Sequence, residues 1–492
     1  MALCDTRSFL EKLKEAGELL VVDQEVDADA EAAAIVAKLN EDGGQAVWFR
    51  NVKGTTSGAS LAGGLYAGPG LLYYRTRKPW TRIALALNID PDVTYEDFLF
   101  TINDRSQRGQ IKPLRLGAGR CKDITSSGDD VDLTRYPFPQ VHPTDGGRYG
   151  VGTTFVQDPD TRAIHAGAYR WMVLGKDRIV CNLPPNRPIS AIFKKYQERG
   201  EAMPFAIAFG GSPALQVAAH MGLPATADIL GIAGGLCQDP IELVGAENDG
   251  LLVPADADLV LEGTFSLTET ASEGPYATFI DIGTVSQQPV GTVRVITQQE
   301  HPIITFGVDS ARGGDLMNLT SLLHAAELMT IAKTATLPVR WIALPTETRL
   351  GLCVISSKVP YNGFAFQMTG LIFGSSAWFD KLLIVDYDVN PEQLNLAVND
   401  MLNKANPARA WYRSDADAPA TKVAKYPTEN GMTAQVYILA TWDAQAKREE
   451  IGQKIAFESC YPPEIQERVL SRWKKDYGFT HAEPIVYRIV SG

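Results

Sequence analysis

The chain has 492 residues, too many for one compact core, so two or three domains are expected; its 45% apolar and 21% charged content is that of an ordinary globular protein. A net charge of -12 disfavours nucleic-acid binding, although an arginine-lined pocket can still receive an acidic substrate, because the local field outweighs net charge. The six cysteines are scattered without Cys-x-x-Cys and the six histidines form no His-Glu-x-x-His pattern, which disfavours zinc sites and fits reduced thiols of the cytoplasm.

Residues 1–7 show no basic segment followed by an apolar one, so no signal peptide is expected, and no run of about 18 apolar residues predicts a membrane span. Asp5 reads as the cap of a helix whose apolar positions are Phe9, Leu10 and Leu13, ending near Gly17. Residues 19–26 read as a strand, residues 28–39 as an alanine-rich helix with Asp27 as its cap, and residues 46–52 as a strand after the turn at Asp42-Gly43-Gly44. This alternation predicts an α/β domain over residues 1–105.

Residues 106–315 differ. Short β-rich runs recur at 152–156, 169–174, 179–183, 205–209, 241–244, 257–261, 292–297 and 303–308, punctuated by glycine and proline. They predict a β-barrel-like domain with inserted helices, such as one over 189–199. Residues 316–336 carry Leu316, Leu319, Leu322, Leu323, Leu328 and Ile331 at helical spacing and read as a connecting helix. Residues 337–492 then give strands at 339–344 and 352–356, a helix from Phe364, a strand at 381–386 and a helix at 391–404, a third, α/β domain. The tail at 463–477 places Ile465, Val469 and Trp473 on one helix face, suited to packing on a second subunit. The fold class expected is mixed α/β.

The residues with the most chemistry follow the apolar run Leu259-Val260-Leu261. Glu273-Gly274-Pro275 breaks regular structure, and a carboxylate on a stiff turn is a common mounting for a catalytic acid, though the tripeptide alone is also common in surface loops. Two other segments stand with it. One is Val131-Asp132-Leu133-Thr134-Arg135-Tyr136-Pro137-Phe138-Pro139, continuing to Asp145-Gly146-Gly147-Arg148-Tyr149. The other is Asn248-Asp249-Gly250-Leu251-Leu252-Val253-Pro254. Together with Glu262-Gly263 and in this order, they make a chain that resembles the UbiD-like decarboxylases, which use prenylated FMN. The resemblance is densest over 129–276.

That resemblance implies a central split β-barrel that binds flavin and a C-terminal domain that oligomerises, to a homodimer or homohexamer. It implies a carboxy-lyase acting non-oxidatively, and in principle reversibly, on an aromatic or heteroaromatic acid of phenolic, indole- or pyrrole-carboxylate type. Its prenylated FMN comes from a flavin prenyltransferase and is bound with a divalent metal, manganese, and a monovalent cation, potassium or sodium. Arg170, on its own an ordinary arginine beside a strand, becomes the residue that orients the substrate carboxylate, and Glu273 its partner in proton transfer. Thr153, Gly167, Ala168, Tyr169, Arg170, Arg187, Met221, Glu247 and Lys381 fall at cofactor positions.

The departures from the pattern matter as much. The second glutamate expected after Glu-Gly-Pro is Thr278, whose hydroxyl is no acid near neutral pH. Tyr276, Thr278 and Phe279 would line a flat pocket, with His220 and His165 as spare proton carriers. Glu247 matches a metal-ligating glutamate and His165 stands where an asparagine or aspartate ligand is usual, but the histidine ligand is replaced by Pro188, leaving Arg187 as an alternative partner for the phosphate. The altered acid site also keeps open a different class of protein, a non-catalytic binder or chaperone of prenylated flavin. The glycines of Gly146-Gly147-Arg148-Tyr149-Gly150-Val151-Gly152 lack the strand–turn–helix setting of a dinucleotide loop.

Overall fold

A computed structural model describes residues 5–442 and 457–479, except 73, 75, 76, 186, 224–226, 248 and 249. The chain forms two compact units. The first runs to His324 apart from Gly70–Lys78 and Thr94–Glu96; those two segments belong to the second unit with the chain from Ala325 onwards. No helix among the described residues is long and apolar enough to cross a membrane.

The centre of the first unit is a barrel. Its strands are β1 (Tyr149–Gln157), β2 (Ile164–Val173), β3 (Arg178–Cys181), β4 (Met203–Gly210), β5 (Ala257–Glu273) and β6 (Ser286–Gln298). They hydrogen-bond in the order β5-β4-β1-β2-β3-β6, and β6 pairs back onto β5, so all six close on themselves; strand Ile124–Ser127 adds to the outside of β6. Closure removes the free edges that an open sheet would expose. The barrel-like domain expected from the β-rich runs is therefore present. The run at 241–244, expected within it, lies outside it, as strand Glu242–Gly245 paired with Leu114–Arg115 and Leu252–Pro254.

Aromatic side chains fill the interior. Trp171 meets Phe138 edge-on at 4.9 Å between ring centroids and Phe209 at 5.3 Å, and Phe205 lies 4.4 Å from Phe265. Each such buried ring contributes about 1.5–3 kcal/mol through the water it no longer orders. Strand β5 spans 17 residues, far longer than the apolar run 257–261 suggests. It bends at a shift of register between Glu262 and Gly263. There a Cβ on Gly263 would stand 1.9 Å from the Thr292 carbonyl oxygen, so only glycine fits.

Helices α1 (Pro188–Arg199) and α2 (Pro213–His220) flank the barrel strands, each opened by a proline that supplies a preset φ. At the N-terminus the expected cap is present: Asp5 accepts from the Ser8 amide at 2.7 Å and starts helix Thr6–Glu15. Asp27 does not cap the next helix, Glu31–Glu41; its carboxylate receives the Asp29 amide in a local turn instead. Strands Leu19–Val22, Ala46–Phe49 and Ser60–Gly63 form a sheet whose fourth member, Ile303–Phe306, arrives from far along the chain and pairs in parallel with Ser60–Gly63. The sequence reading placed this run among the barrel strands, because a parallel partner more than 200 residues distant leaves no local signal.

The long helix is Asp315–Thr334. In the second unit, Leu352–Ser357, Lys381–Val385 and Val436–Ala440 pair in parallel, with Val339–Ala343 and Trp411–Arg413 antiparallel at the two edges. The tail helix runs Pro463–Arg472, shorter than the expected 463–477.

Candidate active site

Glu273 is the last residue of β5 and is fully buried. A buried carboxylate is costly unless its lone pairs are met, and here four donors meet them. Arg170 on β2 donates Nε–H to Oε1 at 2.9 Å and Nη2–H to Oε2 at 3.0 Å. Asn182 donates Nδ2–H to Oε2 at 2.8 Å, and the Tyr149 hydroxyl donates to Oε1 at 3.2 Å. Oxygen Oη of Tyr149 in turn accepts the Gly274 amide at 3.0 Å, which fixes the turn that follows the carboxylate.

The neighbouring backbone is built for this turn. Gly274 has φ +95°, where a side chain is strained, and Gly146 packs so closely that a Cβ there would meet the Gly274 carbonyl oxygen at 2.2 Å. The Gly146 amide donates to the Pro275 carbonyl at 2.8 Å, and buried Asp145 accepts the Ala277 amide at 2.9 Å. Thus the segment Asp145-Gly146-Gly147 holds Glu273-Gly274-Pro275 in place.

Arg170 spends its side-on fork on Glu273. Its end-on fork, Nη1 with the second Nη2 proton, has no protein partner among the described residues, and the side chain remains about a quarter exposed at 24%. One guanidinium can therefore grip Glu273 and a substrate carboxylate at once, since it carries five donors in two planar forks. The Tyr276 ring lies under it with the centroid 4.8 Å from Cζ, and the Tyr149 ring centroid lies 4.6 Å from that of Tyr276. Burial and the Glu273 charge push the Tyr149 phenol up, so it stays protonated and donating.

Asn182 and Tyr149 carry no role in the sequence reading. Asn182 had a legible signal: the turn at Gly175 joins two β-rich runs, and the resulting hairpin pairs Trp171 with Cys181, which sets Asn182 beside Arg170. A Tyr149→Phe variant leaves the buried Gly274 amide without its acceptor and is expected to cost about 1–3 kcal/mol of stability, read from a denaturant melt against wild type; an unchanged midpoint would contradict the assignment.

Regular pairing of β1 with β2 sorts the other expected residues onto two faces. Cross-strand partners share a face, so Arg170, Ala168 and Thr153 lie on one, and His165, Gly167 and Tyr169 on the other. On the first face the Thr153 hydroxyl is fully buried and has no hydrogen-bond partner among the described residues. On the second, Gly167 answers to packing: a Cβ would meet the Tyr169 ring at 2.8 Å and His165 Nε2 at 3.2 Å. The His165 Nε2 and Tyr169 hydroxyl are hydrogen-bonded at 2.9 Å, and Arg187 lies over the Tyr169 ring at 5.6 Å. Burial, with Arg187 adding to it, drives His165 down to about 4, and the same two causes lower His220. Both imidazoles are thus neutral near pH 7.

Other expected residues fall elsewhere. The Glu247 carboxylate is engaged by Lys122 and is partly exposed, and Asn248 and Asp249 lie outside the described residues. His165 and Glu247 are the expected metal ligands; among the described residues no group of three His, Cys, Asp or Glu is arranged to hold a metal. Met221 ends α2, its amide bonded to the Ala218 carbonyl. Lys381 belongs to the second unit, where it pairs with Asp380 and stands over Tyr426. Phe279 is buried, and Thr278 turns its hydroxyl into its own loop, accepting the Ile280 amide at 3.2 Å and donating to the Asp281 carbonyl at 3.3 Å.

Three family models match this chain in succession: the N-terminal domain of 3-octaprenyl-4-hydroxybenzoate carboxy-lyase over residues 10–102, its Rift-related domain over 113–310, and its C-terminal domain over 317–440. The chain belongs to the UbiD carboxy-lyase family. Among its relatives is a pyrrole-2-carboxylic acid decarboxylase of Pseudomonas aeruginosa, 29% identical over 97% of this chain and 99% of the relative. Ferulic acid decarboxylase 1 of Saccharomyces cerevisiae is 27% identical over 70% of this chain and 69% of its own. The same fold occurs in the UbiD-class enzyme HmfF of Pelotomaculum thermopropionicum, solved with FMN, at a TM-score of 0.80, 23% identity and coverage of 92% and 97% of the two chains. It occurs also in the vanillic acid decarboxylase of Sedimentibacter hydroxybenzoicus, at 0.82, 22%, 96% and 99%.

Proposed function

We propose that this carboxy-lyase removes carbon dioxide, without net oxidation, from an aromatic or heteroaromatic acid of phenolic, indole- or pyrrole-carboxylate type, with prenylated FMN bound in the first unit. The observation that carries this reading is the Arg170–Glu273 pair, buried at the end of a barrel strand with a second guanidinium fork left for a carboxylate. Thr153, on the Arg170 face, offers the bound flavin an unspent hydroxyl. When bound, that cofactor supplies the electron sink that an aryl carboxylate lacks.

Arg170 orients the departing carboxylate through its end-on fork and stays fixed because Glu273 holds the other. Tyr276, whose ring lies beside the guanidinium, forms one wall for a planar ring. Glu273 carries the proton that replaces carbon dioxide, with the Tyr149 hydroxyl on its hydrogen-bond line. The absence of a second carboxylate at Thr278 favours electron-rich rings over acrylic acids of cinnamate type. A flavin prenyltransferase supplies the cofactor. Exposed apolar side chains on the second unit, Phe366 and Leu402, support assembly into a homo-oligomer.

Protein produced together with a flavin prenyltransferase is expected to release carbon dioxide from one of a panel of such acids. Protein from a prenyltransferase-deficient host is expected to be inactive. Full turnover by the latter would remove the cofactor from the reading, and a panel without any turnover would remove the activity.

A further inference from the structure

The cluster around His165 suits an anion rather than a cation. Three side chains meet there: His165 and Tyr169 from β2, hydrogen-bonded at 2.9 Å, and Arg187, which lies over the Tyr169 ring at 5.6 Å. Arg187 directly precedes α1 and acts as its N-cap residue, with Pro188 in the first turn. No carboxylate lies within ion-pairing distance of its guanidinium among the described residues. The one acidic residue expected to join His165, Glu247, is neutralised by Lys122.

Among the described residues a divalent cation at His165 would find no acidic cluster to hold it and would have a fixed positive charge beside it, the reverse of what hard cations require. A phosphate would find a planar guanidinium with no acidic partner among the described residues, for which its oxygens are the matching partner, together with a phenol and an imidazole. Pro188 fits the same arrangement: it contributes no ligand, and its fixed φ helps set the start of α1, from which Arg187 reaches across Tyr169.

We infer that the flavin phosphate is held directly by Arg187, beside Tyr169 and His165, and that no divalent metal bridges it. This rests on the flavin-binding reading above, and binding of plain FMN separates the two. The full chain, stripped with EDTA and desalted, is titrated with FMN and with riboflavin, which lacks the phosphate, and the quenching of flavin fluorescence is followed. FMN is expected to bind more tightly than riboflavin, to be displaced by millimolar inorganic phosphate, and to keep its affinity within about twofold when manganese is added. Arg187→Ala is expected to weaken FMN by about 10- to 100-fold and leave riboflavin unchanged, the loss of a charge-assisted contact. Arg187→Lys, which keeps the charge and guards against a folding defect, is expected to fall between.

Manganese retained at about one ion per chain, with a tenfold or greater loss of FMN on its removal, would overturn the inference. So would an Arg187→Ala protein that binds FMN like wild type. If neither flavin binds under any condition, the flavin reading itself falls and the inference with it.

Discussion

Glu273→Gln is expected to abolish both decarboxylation and the exchange of deuterium into the ring carbon of the product, while Thr278→Val keeps a substantial fraction of both. The carboxylate is fully buried and every donor around it points inward: two N–H groups of Arg170, one of Asn182 and the Tyr149 hydroxyl. A glutamine of the same shape turns an NH2 group against at least one of those donors and carries no exchangeable acid proton. Thr278, in contrast, uses its hydroxyl within its own turn, accepting from Ile280 and donating to Asp281. Carbon dioxide release and proton NMR of the product in deuterium oxide read the two steps separately. A dead Thr278→Val protein beside an active Glu273→Gln protein would send the proton path elsewhere, with His220 and His165 the next groups to test.

Arg170→Ala should lower kcat/KM by about 30- to 1000-fold, the equivalent of about 2–4 kcal/mol for a bidentate charge-assisted contact. It should also destabilise the protein, because Glu273 would be left buried without its counter-charge, a loss of about 3–5 kcal/mol in comparable pairs. Arg170→Lys separates the two effects. It restores a positive charge but cannot serve two forks, so stability should recover more than activity. Near wild-type rates in both variants would show that the substrate carboxylate is held by another group.

The barrel was legible in the sequence because closely spaced β-rich runs separated by glycine and proline leave few alternatives. The Arg170–Glu273 pair was legible only through resemblance, since its members are 103 residues apart and no periodicity links them. The extent of β5 was not legible: between Phe265 and Glu273 its side chains are mostly polar, so hydrophobic pattern falls silent although pairing with β6, irregular between Phe265 and Thr270, resumes and ends at Glu273 opposite Ser286. Tyr149 stayed hidden for a related reason: it is ordinary at its own position and acquires a role only when barrel closure brings β1 and β5 to one point, whereas the hairpin from β2 to β3 already sets Asn182 beside Arg170.

The turn from Thr278 to Asp281 closes on itself: the Thr278 amide donates to the Asp281 carbonyl at 2.9 Å and its hydroxyl takes the Ile280 amide. Glu273, five positions earlier, is anchored instead by groups from three other barrel strands or their ends. The side chains at the two positions are therefore held by different groups. A lineage can exchange the outer acid for a turn-forming residue without reworking the barrel, whereas any change at the inner one must be matched in strands far away along the chain. Redesign of the chemistry thus has a natural point of entry in a four-residue loop, where altered acidity or pocket shape leaves the clamp untouched.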